Sequence, residues 1–271
     1  SGGDTPGMNA AIRAVFKTGV DIDLQVMGIY HGYKGLIEGR VGYLAHADVE
    51  SKMHKGGTIL RTARSEEFKT EGGIEKAISV LRAYEIEGLI VIGGDGSFKG
   101  ADALSKRGIP VIGIPGTIDN DMGYTDFTIG FDTAVNNVMN EIYKIRDTMR
   151  AHDRVGVIEV MGRRCGDIAL WAGVAGAADI ILVPERPLSW ADAANRLAAN
   201  KLRGQLTSIV MIAEGAGKAE DFCEYVRKYT DVEIKATVLG YIQRGGNPSA
   251  FDRVLAAKIC LLYTSPSPRD A

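Results

Sequence analysis

Two short polar segments of this chain combine residue types that can hold and move a phosphoryl group. Gly93-Gly94-Asp95-Gly96-Ser97 ends the apolar run Gly88–Ile92, and Thr117-Ile118-Asp119-Asn120-Asp121 follows the apolar run Ile109–Ile114. In the first, Gly93, Gly94 and Gly96 let backbone amides approach a polyphosphate closely. Asp95 adds the hard carboxylate oxygen that Mg²⁺ takes while bridging phosphate groups. In the second, a hydroxyl and two carboxylates stand close enough in sequence to surround one reacting oxygen, with Asp119 the candidate general base. Either segment alone reads as readily as a turn or a helix start. Together, each behind a buried strand, they point to the carboxyl edge of an open parallel sheet, where such sheets bind ligands.

The elements that must position these groups follow from the apolar pattern. Gln25–Tyr30, Gly88–Ile92, Ile109–Ile114, Val155–Val160, Asp179–Val183 and Ser208–Ala213 are short and rich in Ile and Val, which predicts buried strands. Between them Ile74, Ala77, Ile78 and Leu81 keep the i, i+3, i+4, i+7 spacing of an amphipathic helix, and the longest helical stretch is expected over Phe127–Arg150. The expected fold is α/β, two lobes with mostly parallel sheets flanked by helices, the long helix acting as the hinge. One lobe takes residues 1–130 plus 243–260, and the other takes residues 131–242. Ser1-Gly2-Gly3-Asp4 reads as a loop that follows a strand. The prolines of Thr264–Ala271 cannot continue the amphipathic helix begun at Phe251, so residues 261–271 read as a tail unrelated to the fold.

Composition narrows the function classes. A formal net charge of −2 over 271 residues, with signs interspersed, argues against a nucleic-acid or membrane partner. Cys165, Cys223 and Cys260 are too scattered for a disulfide framework or a metal site and read as buried thiols. Nothing resembles a secretion leader or a long apolar span, which fits a cytoplasmic enzyme.

Further cations sit in glycine-rich surroundings. Gly2-Gly3-Asp4-Thr5-Pro6-Gly7-Met8-Asn9 opens a helix with free amides for an anion. Met161-Gly162-Arg163 and Glu214-Gly215 each follow a strand end, and Leu239–Gly246 carries Arg244. A single exposed arginine is usually a solvated charge; recurrence after strand ends is what makes these informative.

With these residues in hand, the sequence closely resembles the bacterial-type ATP-dependent 6-phosphofructokinases, from Gly2 to about Lys258. The combination of GGDTPGMNA, GGDGS, PGTIDND, EVMGRRCGD and QRGG carries the resemblance. It implies a glycolytic, cytoplasmic enzyme that transfers the γ-phosphoryl of MgATP to the 1-hydroxyl of fructose 6-phosphate. Gly3, Arg64, Gly94, Asp95, Gly96 and Ser97 would then hold the nucleotide, with Asp95 on Mg²⁺. Asp119 would take the hydroxyl proton, Thr117 would contact the moving phosphoryl group, and Asp121 would support the site. Met161, Gly162, Arg163, Glu214 and Arg244 would bind the sugar phosphate, with Tyr241 beside them. Such chemistry needs alignment and charge neutralisation more than covalent work, and Arg64 and Arg163 are the expected neutralisers.

Arg154 and Arg163 flank the run Val155–Val160, which spans roughly 20 Å as a strand, too long for one sugar phosphate to use both. Lys235 and Arg244 are separated in the same way. The family lends the equivalents of Arg154 and Lys235 to a neighbouring subunit, which implies a homotetramer; spacing alone leaves open that both are surface cations at a strand start. Lys235 and Tyr241 stand where the family commonly has Arg and His, so the bidentate fork is lost while charge and a hydrogen-bonding tip remain. Arg13 and Arg146 match an allosteric site for ADP or phosphoenolpyruvate, but Lys17, His46 and Gln205 depart from it. A pyrophosphate-dependent relative usually carries Asp at 96 and Lys at 116; Gly96 and Gly116 favour ATP here. A structural subunit or an inactive fragment is the other alternative, set against intact Asp95, Asp119 and Arg163.

Overall fold

The computed structural model describes the backbone of residues 1–264 and side chains through residue 261, so most of the tail proposed over 261–271 lies outside the described residues. In chain order the elements are α1 (Met8–Asp21), β1 (Met27–Ile29), α2 (Gly32–Ile37), β2 (Val41–Tyr43), α3 (His46–Val49), α4 (Glu71–Ala83), β3 (Leu89–Gly93), α5 (Asp95–Ser105) and β4 (Val111–Pro115). There follow α6 (Phe131–Ala151), β5 (Val155–Val160), α7 (Asp167–Ala175), β6 (Ile180–Leu182), α8 (Trp190–Leu202), β7 (Ser208–Ala213), α9 (Ala219–Tyr229), β8 (Ile234–Val238) and α10 (Ala250–Thr264). They form two compact units: unit 1 comprises residues 1–118, 122–132 and 244 onward, and unit 2 residues 119–121 and 133–243. No described helix is long and apolar enough to cross a membrane.

Unit 1 is built on β3 and β4, which pair in parallel from Leu89 opposite Val111 to Gly93 opposite Pro115. Gly2 adds one parallel bridge to Gly93, its N–H donating to the Ile92 carbonyl at 2.8 Å. α1 packs on α10 through Met8, Ala11, Ile12, Ala256 and Cys260, all buried. The helical face read from the sequence is buried too: Ile74, Ala77, Ile78 and Leu81 of α4 join Leu36, Phe68 and Leu104 in one core. β1 and β2 pair antiparallel, so the unit is not wholly parallel. A cavity of about 820 Å³ lies against β3, its apolar lining including Leu24, Met27, Ile29, Leu89, Val91 and Ile112.

Unit 2 carries a four-stranded, all-parallel sheet in the order β6-β7-β5-β8. β5 and β7 are buried at every position, as expected for central strands covered on both faces. Phe222, Cys223 and Val226 of α9 and Ala193, Ala194 and Leu197 of α8 pack on that sheet. Glu159 is the polar exception in β5. Its Oε2 accepts from the Ala219 N–H at 2.8 Å, where a carboxylate satisfies the first turn of α9.

The long helix begins at Phe131 rather than Phe127. Ile129 donates its N–H to the Pro115 carbonyl at 3.0 Å and forms a parallel bridge to Gly116, so it lies beside the end of β4 in extended backbone rather than in the helix. Gly130 then turns with φ +105, a conformation outside the helix.

Candidate active site

In unit 1 the nucleotide-type loop lies where β3 passes into α5. A β-carbon at Gly93 would stand 2.8 Å from the Gly2 carbonyl oxygen, so the close approach of these two segments requires glycine. Gly94 caps α5 and Asp95 is its first residue; Ser97 N–H already donates to the Gly94 carbonyl at 2.9 Å, which leaves the Asp95 and Gly96 amides without helical acceptors and favourable to an anion. Ser97 Oγ donates to the Gly2 carbonyl at 3.2 Å, and Tyr33 Oη donates to the Ser97 carbonyl at 2.6 Å while its ring stacks on Phe68. Burial holds the Tyr33 phenol protonated, well above its usual range. Gly3 N–H donates to Thr62 Oγ1 at 2.9 Å, tying the Gly2–Gly7 loop to the stretch that carries Arg64. Arg64 is exposed and has no ion pair among the described residues.

The second motif begins in the same unit. Gly116 N–H donates to the Gly93 carbonyl at 3.0 Å. A β-carbon at Gly94 would touch the Thr117 Cβ at 3.4 Å, so Thr117 is adjacent to the glycine loop. Thr117 is further held through its carbonyl, which accepts from Thr128 Oγ1 at 2.6 Å. Asp95 is half-exposed and engages Lys99 at 2.7 Å, a solvated pair of small worth.

Asp119, Asn120 and Asp121 belong to unit 2. There Asn120 Nδ2 donates to Asp167 Oδ2 at 2.8 Å, at the start of α7. The loops after β5 and β7 meet: Glu214 N–H donates to the Val160 carbonyl at 2.9 Å and Gly215 N–H to the Gly162 carbonyl at 3.2 Å. Met161 N–H donates to Gln243 Oε1 at 3.1 Å, while Gln243 Nε2 donates to the Gly240 carbonyl at 3.0 Å. This buried glutamine thus ties the Leu239–Gln243 segment to the end of β5. Met161, Gly162, Arg163 and Glu214 therefore share one carboxyl edge, and Arg163 is exposed with no ion pair among the described residues. Asp167, the first residue of α7, and Gln243, which closes a short 3-10 turn, carry no role by sequence alone; their glycine-containing surroundings are the only local signal.

Other expected residues lie elsewhere. Arg154 precedes β5, at the opposite edge from Arg163, and its Nε donates to Glu233 Oε1 at 2.5 Å. Lys235 stands opposite Gly156 in the sheet register and is exposed. Tyr241 is 82% exposed. Arg244 belongs to unit 1, where Nη2 donates to Asp4 Oδ1 at 2.8 Å and to the Asp4 carbonyl at 3.2 Å. Of the allosteric candidates, Arg146 donates to the carbonyls of Gly176 and Ala177, and Lys17 lies 3.3 Å from His46 Nδ1; Arg13 lies on α1. Gln205 donates to Asp179 Oδ1 at 2.6 Å.

Among the described residues no cluster of three His, Cys, Asp or Glu side chains could hold a metal by protein ligands alone. A Mg²⁺ carried on phosphates needs only one or two carboxylates, and Asp95 beside free helix amides fits that donor set. The thiols are unsuited to the chemistry. Burial pushes Cys165 up to about 11 and Cys223 and Cys260 up to about 12. Cys165 is only half-buried, against the expectation of a fully buried thiol.

The comparison with known proteins decides the family, because the Phosphofructokinase family profile matches residues 1–263. The chain belongs to the phosphofructokinase family. It is 54% identical over 259 residues to the ATP-dependent 6-phosphofructokinase of Clostridium novyi, covering 96% of this chain and 81% of that one. Among solved structures, phosphofructokinase from Saccharomyces cerevisiae superposes with a TM-score of 0.89 at 36% identity, covering 98% of this chain and 41% of the yeast chain. The pyrophosphate-dependent phosphofructokinase of Marinobacter aquaeolei, at 24% identity and a TM-score of 0.83 over 96% of this chain and 72% of its own, shares the fold.

Proposed function

We propose that this phosphofructokinase-family chain transfers the γ-phosphoryl group of ATP to the 1-hydroxyl of fructose 6-phosphate, giving ADP and fructose 1,6-bisphosphate. The observation that carries the reading is the packing of Thr117 against Gly94, which joins a hydroxyl at the end of β4 to the amide-rich start of α5. Gly3, Arg64 and Gly94 to Ser97 hold the polyphosphate. Asp95 holds a Mg²⁺ that, when bound, neutralises phosphate charge. Asp119 accepts the proton of the sugar hydroxyl, Asp121 supports it, and Thr117 donates a hydrogen bond to the moving phosphoryl group. Met161 to Arg163 and Glu214 bind the sugar phosphate, Arg163 offering the bidentate fork that suits phosphate oxygens.

The donor assignment rests on Gly96 and Gly116 and on the named Clostridium relative. A β-carbon at Gly96 meets nothing within 4 Å, whereas one at Gly116 lies 3.3 Å from Ile92 Cγ2 and 3.4 Å from Met8 Cε. Position 96 therefore keeps open space for a nucleotide, and position 116 resists a longer side chain. Initial rates with fructose 6-phosphate and either MgATP or Mg-pyrophosphate test this: turnover with ATP and almost none with pyrophosphate is expected, and equal or faster turnover with pyrophosphate would reject the assignment.

Arg154 and Lys235 lie on the edge of the sheet away from Arg163, and we infer that they serve a neighbouring subunit's sugar phosphate in a homotetramer.

A further inference from the structure

Cys165-Gly166-Asp167 has no part in the function proposed above, yet it grips the loop that carries Asp119. Asp167 is the first residue of α7, and its Oδ2 accepts from Asn120 Nδ2 at 2.8 Å. Cys165 Sγ lies 3.9 Å from the Asn120 carbonyl oxygen, a weak thiol hydrogen bond. The gripping segment is itself fixed, since Gly166 N–H donates to Glu185 Oε1 at 2.6 Å. All of these residues belong to unit 2.

The backbone explains why a grip is needed. Asn120 has φ +53, the left-handed region that residues with a side chain visit rarely and asparagine most readily. Such a conformation persists only where the surroundings determine it. Asp119 and Asp121 are its direct chain neighbours, so relaxation of Asn120 to an ordinary φ would redirect both carboxylates. Displacement of a catalytic group by about 1 Å can cost on the order of 10²-fold in rate.

We propose that Asp167 is a positioning residue: through the Asn120 amide it holds Asp119–Asp121 in the left-handed turn that aims Asp119 at the sugar hydroxyl. This rests on the reading of Asp119 as the base. The Asp167 carboxylate also favours the N-terminus of α7, a purely structural contribution. Asn120→Ala removes the loop bond and leaves that contribution intact, so the two roles separate.

The full chain is assayed as wild type, Asn120→Ala, Asp167→Ala, Asp167→Asn, Asp119→Asn and the Asp119→Asn/Asn120→Ala double variant. Asn120→Ala and Asp167→Ala are each expected to lower kcat about 10- to 100-fold, with KM for fructose 6-phosphate and ATP within about threefold. Asp167→Asn keeps an acceptor oxygen and recovers kcat to within about threefold of wild type. On the Asp119→Asn background, Asn120→Ala adds less than about twofold, because both changes act through one group. Independently of turnover, amide hydrogen exchange quickens at residues 118–121 in Asn120→Ala while β5 stays protected. Wild-type kcat in Asn120→Ala, its full effect on top of Asp119→Asn, or unchanged exchange at 118–121 overturns the clamp. Near-normal kcat in Asp119→Asn instead overturns the base assignment and the positioning role with it, while quickened exchange would still show the clamp to exist.

Discussion

Asp119 stands between Ile118, the last residue of a unit 1 segment, and Asn120, which is bonded within unit 2. Its carboxylate follows β4, which is only partly buried, with Ile114 inside and Ile112 exposed, and general-base catalysis is worth roughly 10²–10⁴ in rate. Asp119→Asn is therefore expected to lower kcat at least about 10²-fold while fructose 6-phosphate binding changes little; steady-state kinetics with near-normal kcat would remove Asp119 from its role. Cys165 offers a pH test of the same neighbourhood. Burial is the main cause that raises its thiol to about 11, with the nearby Asp167, Glu185 and Asp121 carboxylates adding to the rise. Because the thiolate is the reactive form, its alkylation by iodoacetamide should climb about tenfold per pH unit from pH 7 to 10, and a rate already level by pH 9 would contradict the raised value. The types of the proposed chemistry-bearing side chains and their places after apolar runs were legible. Asp167 and Gln243 were not, because their importance lies in bonds to Asn120 and Met161, residues distant in sequence.

At the scale of elements, the strand-to-helix turn from β3 to α5 makes the sharpest demand. Gly93 packs against the Gly2 carbonyl, whereas Gly96 faces open space. Gly93→Ala should cost about 1–3 kcal/mol of stability through overpacking, while Gly96→Ala should stay within about 0.5 kcal/mol. Denaturant melts of the two variants check this, and equal stabilities would contradict the close approach. β5 and β7 were readable to the residue because strands covered on both faces must be apolar at every position. Lys235, read as a cation at a strand start, lies within β8, an edge strand whose apolar run it interrupts. β2 is three residues of an antiparallel pair and leaves almost no pattern. The early start expected for α6 failed at Gly130, whose backbone conformation no apolar spacing reveals.

The whole molecule distributes the proposed chemistry over two units, with the polyphosphate loops in unit 1 and the base and sugar-phosphate residues in unit 2. The strand alternation made this α/β architecture visible; the grouping of residues 119–121 with the second unit was not. If Arg154 serves a neighbouring subunit, it must leave Glu233, and a part-exposed pair worth about 0–1 kcal/mol can yield to a phosphate dianion. Mixing Arg154→Ala chains with Asp119→Asn chains should then restore activity in purified hybrid oligomers, since some sites combine an intact base with an intact arginine. Activity equal to the average of the two mutants would confine Arg154 to its own subunit or to no role. The central claim, phosphoryl transfer from ATP to the sugar hydroxyl, is tested most directly by following ADP and sugar bisphosphate together by phosphorus NMR in a mixture of the chain, MgATP and fructose 6-phosphate. Equal amounts of ADP and fructose 1,6-bisphosphate, appearing together and suppressed by Asp119→Asn, are predicted; ADP with inorganic phosphate and no bisphosphate would contradict the account.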